Sequence, residues 1–178
     1  QVQSLVNVTG ISAIREEVGQ ALAAFRSELA LRVGYFTGDE DTIAQLVRQA
    51  YYDNPASALG MPEYQVYLYP DSGTQRIVEV LLTYPEDAQV LRQKSAARQS
   101  TAEAIATPLY RQQDSAGRLS MLFARLPHTL TPYSPQGGST PWDALLGESA
   151  DSEGLALAFQ LLCDKLDIGS ALVEGTLD

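Results

Sequence analysis

The side chains that could act as nucleophiles lie near the C-terminal end of the chain, at Ser152 and Cys163. A serine hydroxyl is far more basic than a thiol, so the positive N-terminal end of a helix cannot ionise it near neutral pH, and a base must lie beside it. The chain has one histidine, His128, just after a long helical pattern. We interpret His128 as a surface or helix-end residue, and the residue type at 152 alone predicts a helix cap.

A buried helix is predicted to position Ser152. Residues 153–166 carry apolar side chains at mixed spacings of three and four, so we expect a helix that is buried on several sides. Asp151 and Ser152 are cap-type residues before this helix, and Glu153 adds negative charge to its first turn. Residues 168–177 then predict a short, largely buried strand. The pattern therefore indicates a core helix followed directly by a core strand.

Other kinds of site are excluded by the composition. Cys163 lies among leucines in the middle of the predicted helix, which favours a small core residue over an activated thiol. As the single cysteine, it can form no disulfide within the chain. The sequence contains no paired histidine or cysteine spacing, phosphate-binding loop or dinucleotide-binding pattern. We therefore predict neither a metal nor a cofactor.

The helix and its flanks resemble a known family. Residues 152–162, SEGLALAFQLL, are similar to the pattern C-x-G-x-A-x-A-F-x-L-L of transglutaminase-like domains, which are relatives of papain-type cysteine proteases. The segment LDI at 166–168 resembles the family's turn after this helix, and VEG at 173–175 resembles the end of its next strand. Upstream, TPWDALLGE at 140–148 resembles the family's approach to the nucleophile. The similarity covers about 25 residues, from Ser152 to Gly175, and the upstream segment 140–148 adds to it.

Two positions depart from the family pattern, and the first concerns its chemistry. Ser152 stands where the family has its catalytic cysteine, and Asp167 stands where glycine usually follows the helix. The resemblance implies acyl transfer through a thiolate, activated by a histidine and an aspartate that come later in the chain. His128 precedes Ser152, and no histidine follows it. The resemblance therefore implies a thiol-dependent acyl transferase or amide hydrolase as the parent, and an inactive chain as given.

Three explanations of Ser152 stay open: a cysteine replaced in this sequence, a natural non-catalytic relative, and coincidence. In the first two, Ser152 marks the nucleophile position, and the backbone N–H groups of residues 152 and 153 are candidates for oxyanion stabilisation. The implied cleft residues are Trp142, Glu153 and Gly154, with an ordinary core position as the alternative for Trp142. The corresponding functional hypotheses are a transglutaminase-like protein acting on a peptide or protein substrate, a non-catalytic module that binds peptide or glycan, and a helical scaffold.

The chain divides by pattern near residue 85, into regions 1–85 and 86–178. We predict the following elements for the first region: helices over 12–29, capped by Ser12, and over 39–52, strands over 30–36, 64–69 and 76–84, and a hairpin turn at 70–74. For the second region we predict helices within 86–126, divided at Pro108 and at 114–117, and a flexible loop over 134–141. The expected fold class is α+β. It comprises a small N-terminal α/β layer, a helical middle, and the first half of a transglutaminase-like core, namely its nucleophile helix and first strand.

Charge and hydropathy limit the partners. A net charge of −10 with only 12 lysines and arginines argues against nucleic acid. No apolar run approaches 18 residues, so no membrane insertion is expected. The chain begins with Gln1 and its first methionine is Met61, so we expect a processed or truncated product. The resemblance implies an extracellular or cell-envelope location. The exposed edge of the strand at 168–177 is expected to pair with a second chain, as a homodimer or a domain swap.

Tyrosines recur in the strands of the first region and raise the question of a carbohydrate site. Tyr64, Tyr67, Tyr69 and Tyr84 lie on the two predicted strands. Tyrosines on alternating strands more often cover one face of a sheet, with the hydroxyl at the edge. We therefore favour a structural role for this set over sugar stacking.

Overall fold

The predicted α+β class is confirmed by the computed structural model, which describes residues 5–112, 114–173 and 175. Within these residues the chain forms six α-helices and a four-stranded mixed sheet. The fold divides into two compact units. The first runs to Ala88 but omits Ala58–Gly60, and the second contains Ala58–Gly60 and the chain from Gln89 onward.

The first unit consists of a mixed sheet and two helices. Its elements are β1 (Val6–Thr9), α1 (Ile11–Ala23), β2 (Glu28–Gly34), α2 (Glu40–Asp53), β3 (Glu63–Pro70) and β4 (Arg76–Thr83). The strand order is β1-β2-β4-β3, with β1 parallel to β2 and the other pairs antiparallel. Alternate residues of β2 and β4 are buried, and the register places Leu31 opposite Val78. One face of the sheet is therefore apolar, as expected for a face that packs on helices.

Helix α1 differs from its prediction at both ends. It begins at Ile11 after Gly10, which has no side-chain cap, so the predicted Ser12 cap is wrong. It ends at Ala23 rather than near residue 29, because Phe25 takes a left-handed conformation (φ 50°) and Glu28–Gly34 forms β2. The strand β1 was not predicted, since four residues are too few to show a reliable alternation.

The other predicted elements of this unit are confirmed within a few residues. Helix α2 is capped by Asp39, which accepts the Thr42 N–H at 2.9 Å and forms a capping box with it. Strands β3 and β4 form the predicted hairpin, and Gly73 in its turn has a φ of 62°. This left-handed conformation is readily available to glycine.

The second unit is mostly helical. Its elements are α3 (Ala88–Ala106), a 3-10 helix (Thr107–Arg111), α4 (Ser115–Thr129), β5 (Tyr133–Gly138), α5 (Pro141–Leu146) and α6 (Ser152–Lys165). Pro108 lies in the 3-10 helix that ends α3, and Asp114 caps α4 through the Gly117 N–H, so both predicted divisions are confirmed. An apolar core joins these helices through buried side chains that include Leu109, Leu122 and Leu161.

An arginine is buried in the second unit, which the sequence pattern did not indicate. Arg98 of α3 is fully buried, with its Nη1 donating to the Ala58 carbonyl at 3.2 Å and its Nη2 to Ser95 Oγ at 3.0 Å. A buried guanidinium must be hydrogen-bonded to be tolerated. The bond to the Ala58 carbonyl links the 58–60 segment to α3, whereas the bond to Ser95 lies within the helix.

The segment 134–141, predicted to be a flexible loop, instead lies in strand β5 as far as Gly138, and its last residue, Pro141, begins α5. Gly138 N–H donates to the Ser149 carbonyl at 3.2 Å, and Asp151 N–H donates to the Gly138 carbonyl at 3.1 Å. A Cβ on Gly137 would lie 2.6 Å from the backbone of Ala150. The glycines therefore allow two backbones to approach closely, which the composition by itself does not indicate.

The buried strand predicted after α6 is wrong for the described residues. Residues 168–173 have no regular secondary structure, and Val173 is 85% exposed. Residues 174 and 176–178 of that prediction lie outside the described residues. A strand needs a hydrogen-bonded neighbour, and β5, the one described strand of this unit, bridges to Ala150 instead. The strand edge through which we expected dimerisation is thus not formed by these residues.

Candidate functional site

Ser152 is the first residue of α6, and its side chain is exposed. The cap is Asp151, whose Oδ1 accepts the Gly154 N–H at 2.8 Å. Within the described residues, the Ser152 hydroxyl makes no hydrogen bond to another side chain. The cap role that the residue type predicts for Ser152 is therefore filled by Asp151, one residue earlier.

Asp151 is held from two directions by the segment that precedes α5. Its Oδ2 accepts a short hydrogen bond from the Ser139 hydroxyl, and its N–H donates to the Gly138 carbonyl. The sequence pattern does not indicate a role for Ser139. The sequence signals the cap, because an aspartate just before an apolar helical pattern commonly accepts an N–H three residues later. It does not signal the hydrogen bond to Ser139, which lies 12 residues away in the chain.

A short arch, defined here as residues 137–140, lies across the first turn of α6. A Cβ on Gly154 would be 2.6 Å from the Gly138 carbonyl oxygen and 3.1 Å from the backbone N and O of Thr140. Such distances are below ordinary contact, so only glycine fits at residue 154 beneath an unmoved arch. Gly154, which the resemblance places in a cleft, is buried at this position.

The same arch starts α5. Thr140 caps this helix by accepting the Asp143 N–H at 3.2 Å, and Asp143 Oδ2 accepts the Thr140 N–H at 3.1 Å. This reciprocal pair is a capping box, with Pro141 at the first helical position. Since Thr140 also lies against Gly154, the starts of α5 and α6 are held together at the arch.

Trp142 is the second residue of α5 and is half-buried. The Lys94 ammonium of α3 lies 4.7 Å from the centre of its ring, which is a cation–π contact. One face of the indole is thus covered by a side chain of the same unit. Glu153, the third candidate cleft residue, is half-buried in the first turn of α6.

A base for Ser152 is not found in the described part of the chain. His128 is exposed in the last turn of α4, which agrees with its interpretation as a helix-end residue, and no hydrogen bond joins it to Ser152. The described residues also contain no group of three or more metal-ligating side chains. The Ser152 hydroxyl therefore lies next in sequence to the Asp151 carboxylate, whose two oxygens already accept hydrogen bonds from the Gly154 N–H and the Ser139 hydroxyl.

Cys163 is confirmed as a core residue. It is buried on α6, and burial raises the pKa of its thiol, while a hydrogen bond to Ser170 acts in the opposite direction. A raised pKa lowers the thiolate fraction at neutral pH. Cys163 is therefore not an alternative nucleophile.

Helix α6 ends in a Schellman motif. Ile168 N–H donates to the Cys163 carbonyl at 2.9 Å, and Asp167 N–H donates to the Asp164 carbonyl at 3.2 Å. Asp167 takes the left-handed conformation (φ 55°) that this motif requires. The departure from the family pattern at Asp167 therefore lies at a position where the backbone favours glycine.

Side chains of the same unit secure this turn. Arg118 Nη1 donates to the Leu166 carbonyl at 2.7 Å, and the Tyr110 hydroxyl donates to Asp167 Oδ2 at 3.0 Å. The Arg118 guanidinium also lies 5.0 Å from the centre of the Tyr110 ring. The energetic cost of the left-handed conformation at Asp167 is thus offset by a hydrogen bond from Tyr110 that glycine could not accept.

No protein-family model matches the sequence, and a search of curated proteins gives no match either. No helix in the described part of the chain is both long and apolar enough to cross a membrane. The resemblance to transglutaminase-like domains therefore depends on the sequence pattern alone and stays a prediction.

Proposed function

We propose that this chain is part of a transglutaminase-like protein in which residue 152 is the nucleophile position, and that it is inactive while that residue is serine. One observation carries the proposal: Ser152 is exposed at the N-terminus of a helix that is otherwise largely buried. Helix N–H groups and the helix dipole lower the pKa of a thiol at such a position. A cysteine there would be a thiolate more readily than one elsewhere on the helix.

The proposed reaction of the parent is acyl transfer. The thiolate attacks a glutamine side-chain amide or a peptide carbonyl, the C–N bond breaks, and the amine leaves with a proton as a thioester forms. An amine or water then takes the acyl group and releases the thiol. A serine with no base beside it cannot begin this sequence. We propose a peptide or protein substrate and an extracellular or cell-envelope location for the parent, as the resemblance implies.

The test is the reactivity of a thiol placed at residue 152. We expect the Ser152→Cys variant to react with iodoacetamide at neutral pH several-fold faster than the Ala156→Cys variant, because only residue 152 is at the helix N-terminus. Ala156 is a matched control, since it is exposed and lies one turn further along the same face of α6. The unchanged chain reports the background from buried Cys163. Equal or slower reaction at residue 152 would show that the Asp151 carboxylate outweighs the helix terminus, and would contradict a thiolate site.

A second candidate is a non-catalytic module that binds peptide or glycan. The observation in its favour is that Ser152 has no base beside it in the described residues, while Asp151 is committed to the cap. Trp142 is the only tryptophan of the chain, so its fluorescence reports directly on this region. A saturable change on titration with a glutamine-containing peptide or an N-acetylglucosamine oligomer would favour the module. A flat titration with both would count against it.

A further inference from the structure

The strand β3 is an outer strand of the sheet in the first unit, and its free edge is long. Eight residue pairs join it to β4 on one side, from Glu63 opposite Thr83 to Pro70 opposite Arg76. On the other side, within the described residues, it makes no backbone hydrogen bond to another segment. In an antiparallel pair, alternate residues direct their N–H and C=O groups away from the partner strand. The free edge of β3 therefore presents a row of polar backbone groups that can pair with another strand.

The edge lacks the features that usually prevent such pairing. Proteins protect edge strands with charged side chains, internal prolines or bulges. In β3 only the first residue, Glu63, is charged, and its register with β4 is continuous, without a bulge. Pro62 and Pro70 stand at the two ends, so the pairing segment is limited to residues 63–69. This is a bounded strand that has strong β-forming residues and a charge only at its first residue.

The exposed side chains of β3 already contact one another and β4. Tyr67 and Tyr69 are 40% and 45% exposed, and their rings stack with centres 6.4 Å apart and an interplanar angle of 17°. The Tyr67 hydroxyl donates to Gln65 Oε1 at 3.1 Å, and the Tyr69 hydroxyl donates to Glu79 at 3.2 Å. Ordered side chains lose less conformational entropy when a second strand packs beside them. Tyr64 lies on the opposite face, so the tyrosines do not form one surface, contrary to their interpretation from sequence.

We propose that β3 pairs antiparallel with β3 of a second copy of this chain, with the two Val66 residues opposite each other. The result is a continuous eight-stranded sheet across a two-fold axis. Both copies supply the same edge, so the pairing closes after two chains. The remaining outer strand, β1, has four residues and offers a poor edge for further growth. The proposal is independent of the chemistry proposed at Ser152, because it concerns only the first unit.

The register follows from which residues face each other. Two residues that lie directly opposite each other are on the same face of the sheet. The two-fold axis of the pairing must therefore pass between two copies of the same β3 residue. Moving the axis by one residue changes the partner of every residue in the strand. Centred on Val66, Gln65 opposes Tyr67 of the second copy and Glu63 opposes its Tyr69, so no two charges oppose. This register also pairs all seven residues of the 63–69 segment. Centred on Tyr67 or on Gln65, only five residues of that segment would find a partner in it, 65–69 or 63–67, so fewer backbone hydrogen bonds would form.

Disulfide trapping tests both the dimer and its register. In the proposed pairing the two Val66 Cα atoms are about 5 Å apart, within disulfide range. The two Leu68 residues are offset by four positions, which is about 13 Å. Leu68→Cys is a matched control, because both residues are half-buried on the same face of β3. We expect oxidation to cross-link Val66→Cys and to leave Leu68→Cys without a cross-link, while a mixture of Tyr64→Cys and Leu68→Cys cross-links between the two variants.

Sedimentation velocity of the unchanged chain tests the dimer without any substitution. We expect a concentration-dependent dimer, and we expect circular dichroism of the cysteine variants to match that of the unchanged chain. A monomer at every concentration would overturn the proposal, and binding of a synthetic peptide of residues 63–70 by that monomer would assign the edge to peptides instead. Equal cross-linking of Val66→Cys and Leu68→Cys would overturn the register.

Discussion

The carbonyl oxygen of Gly138 lies 2.6 Å from the place that a Cβ on Gly154 would occupy. Gly138 belongs to the arch and Gly154 to the first turn of α6. Their contact therefore sets the distance between the arch and the helix. The exposed Ser152 is two residues before this contact. The position of residue 152 in the fold is therefore determined by backbone packing, whatever side chain stands there.

Substitution of Gly154 tests this contact. Glycine inside a helix normally costs about 1 kcal/mol relative to alanine, so Gly154→Ala would ordinarily stabilise α6. Here we expect a loss of about 1–3 kcal/mol in the free energy of unfolding, because the methyl group meets backbone atoms. Urea unfolding measures the change. Gly169→Ala is the control, since its Cβ would meet nothing within 4 Å, and it should change stability by less than about 0.5 kcal/mol. A higher free energy of unfolding for Gly154→Ala would show that the arch moves to make room for the methyl group.

Substitution of Asp151 separates its cap from its charge. Asp151→Ala removes the acceptor for the Gly154 N–H and for the Ser139 hydroxyl, and should cost about 1–2 kcal/mol of stability. Asp151→Asn keeps an oxygen acceptor and should retain most of that free energy. The control is Ser149→Ala, whose side chain precedes the helix without capping it. If Asp151→Asn were as destabilising as Asp151→Ala, the charge rather than the cap would be the stabilising feature.

Two substitutions at Asp167 separate backbone strain from side-chain contact. Asp167→Gly relieves the left-handed conformation but loses the bond from Tyr110, whereas Asp167→Ala loses the bond and keeps the strain. We expect the glycine variant to exceed the alanine variant in unfolding free energy by about 1 kcal/mol. Thermal and urea unfolding of both proteins give this difference. Equal stabilities would mean that the turn adopts another conformation when Asp167 is absent.

The alkaline stability of the chain should depend on Tyr84. Burial raises the pKa of Tyr84 to about 12, and its hydroxyl donates to the Arg26 carbonyl at 2.9 Å. An unfolded tyrosine titrates near pH 10, so the unfolded state loses its proton first as the pH rises. The stability that neutral Tyr84 contributes is therefore complete below about pH 10 and is lost between about pH 10 and 12.

Urea unfolding at a series of pH values checks this dependence. We expect Tyr84→Phe to be less sensitive to pH than the unchanged chain between about pH 10 and 12, because phenylalanine does not titrate. Tyr69 and Tyr110 also have raised pKa values, so some dependence remains. Tyr133→Phe is the control, since Tyr133 is 62% exposed, and it should follow the unchanged chain. Identical curves for both variants would contradict the role of Tyr84.

The elements that were predicted well have strong local signals. Helix α2 carries both an apolar period and an aspartate cap, and the β3–β4 hairpin carries alternation on both sides of a glycine turn. Helix α6 was predicted to within a residue at each end for the same reason. These signals act over a few residues, so they can be recognised without knowledge of the rest of the fold.

The errors occurred where a distant segment decides the conformation. Residues 134–138 form a strand because the segment around Ala150 pairs with them, and residues 168–173 form none because no described neighbour does. The Ser139–Asp151 bond and the buried Arg98 are likewise contacts between segments. Neither residue type nor spacing carries this information.

The sequence by itself determined the α+β class, the helix predicted over 153–166, and the presence of a single histidine, His128, that precedes Ser152. It also contains the residue pattern that resembles an acyl-transfer family. Each follows from local periodicity, capping chemistry or the identity of single residues. Only the tertiary structure decided that Asp151 is the cap, that the arch covers Gly154, and that β3 rather than the C-terminal segment presents a strand edge. The physical reason is that backbone pairing and close packing depend on which segments meet, and those segments are far apart in the chain.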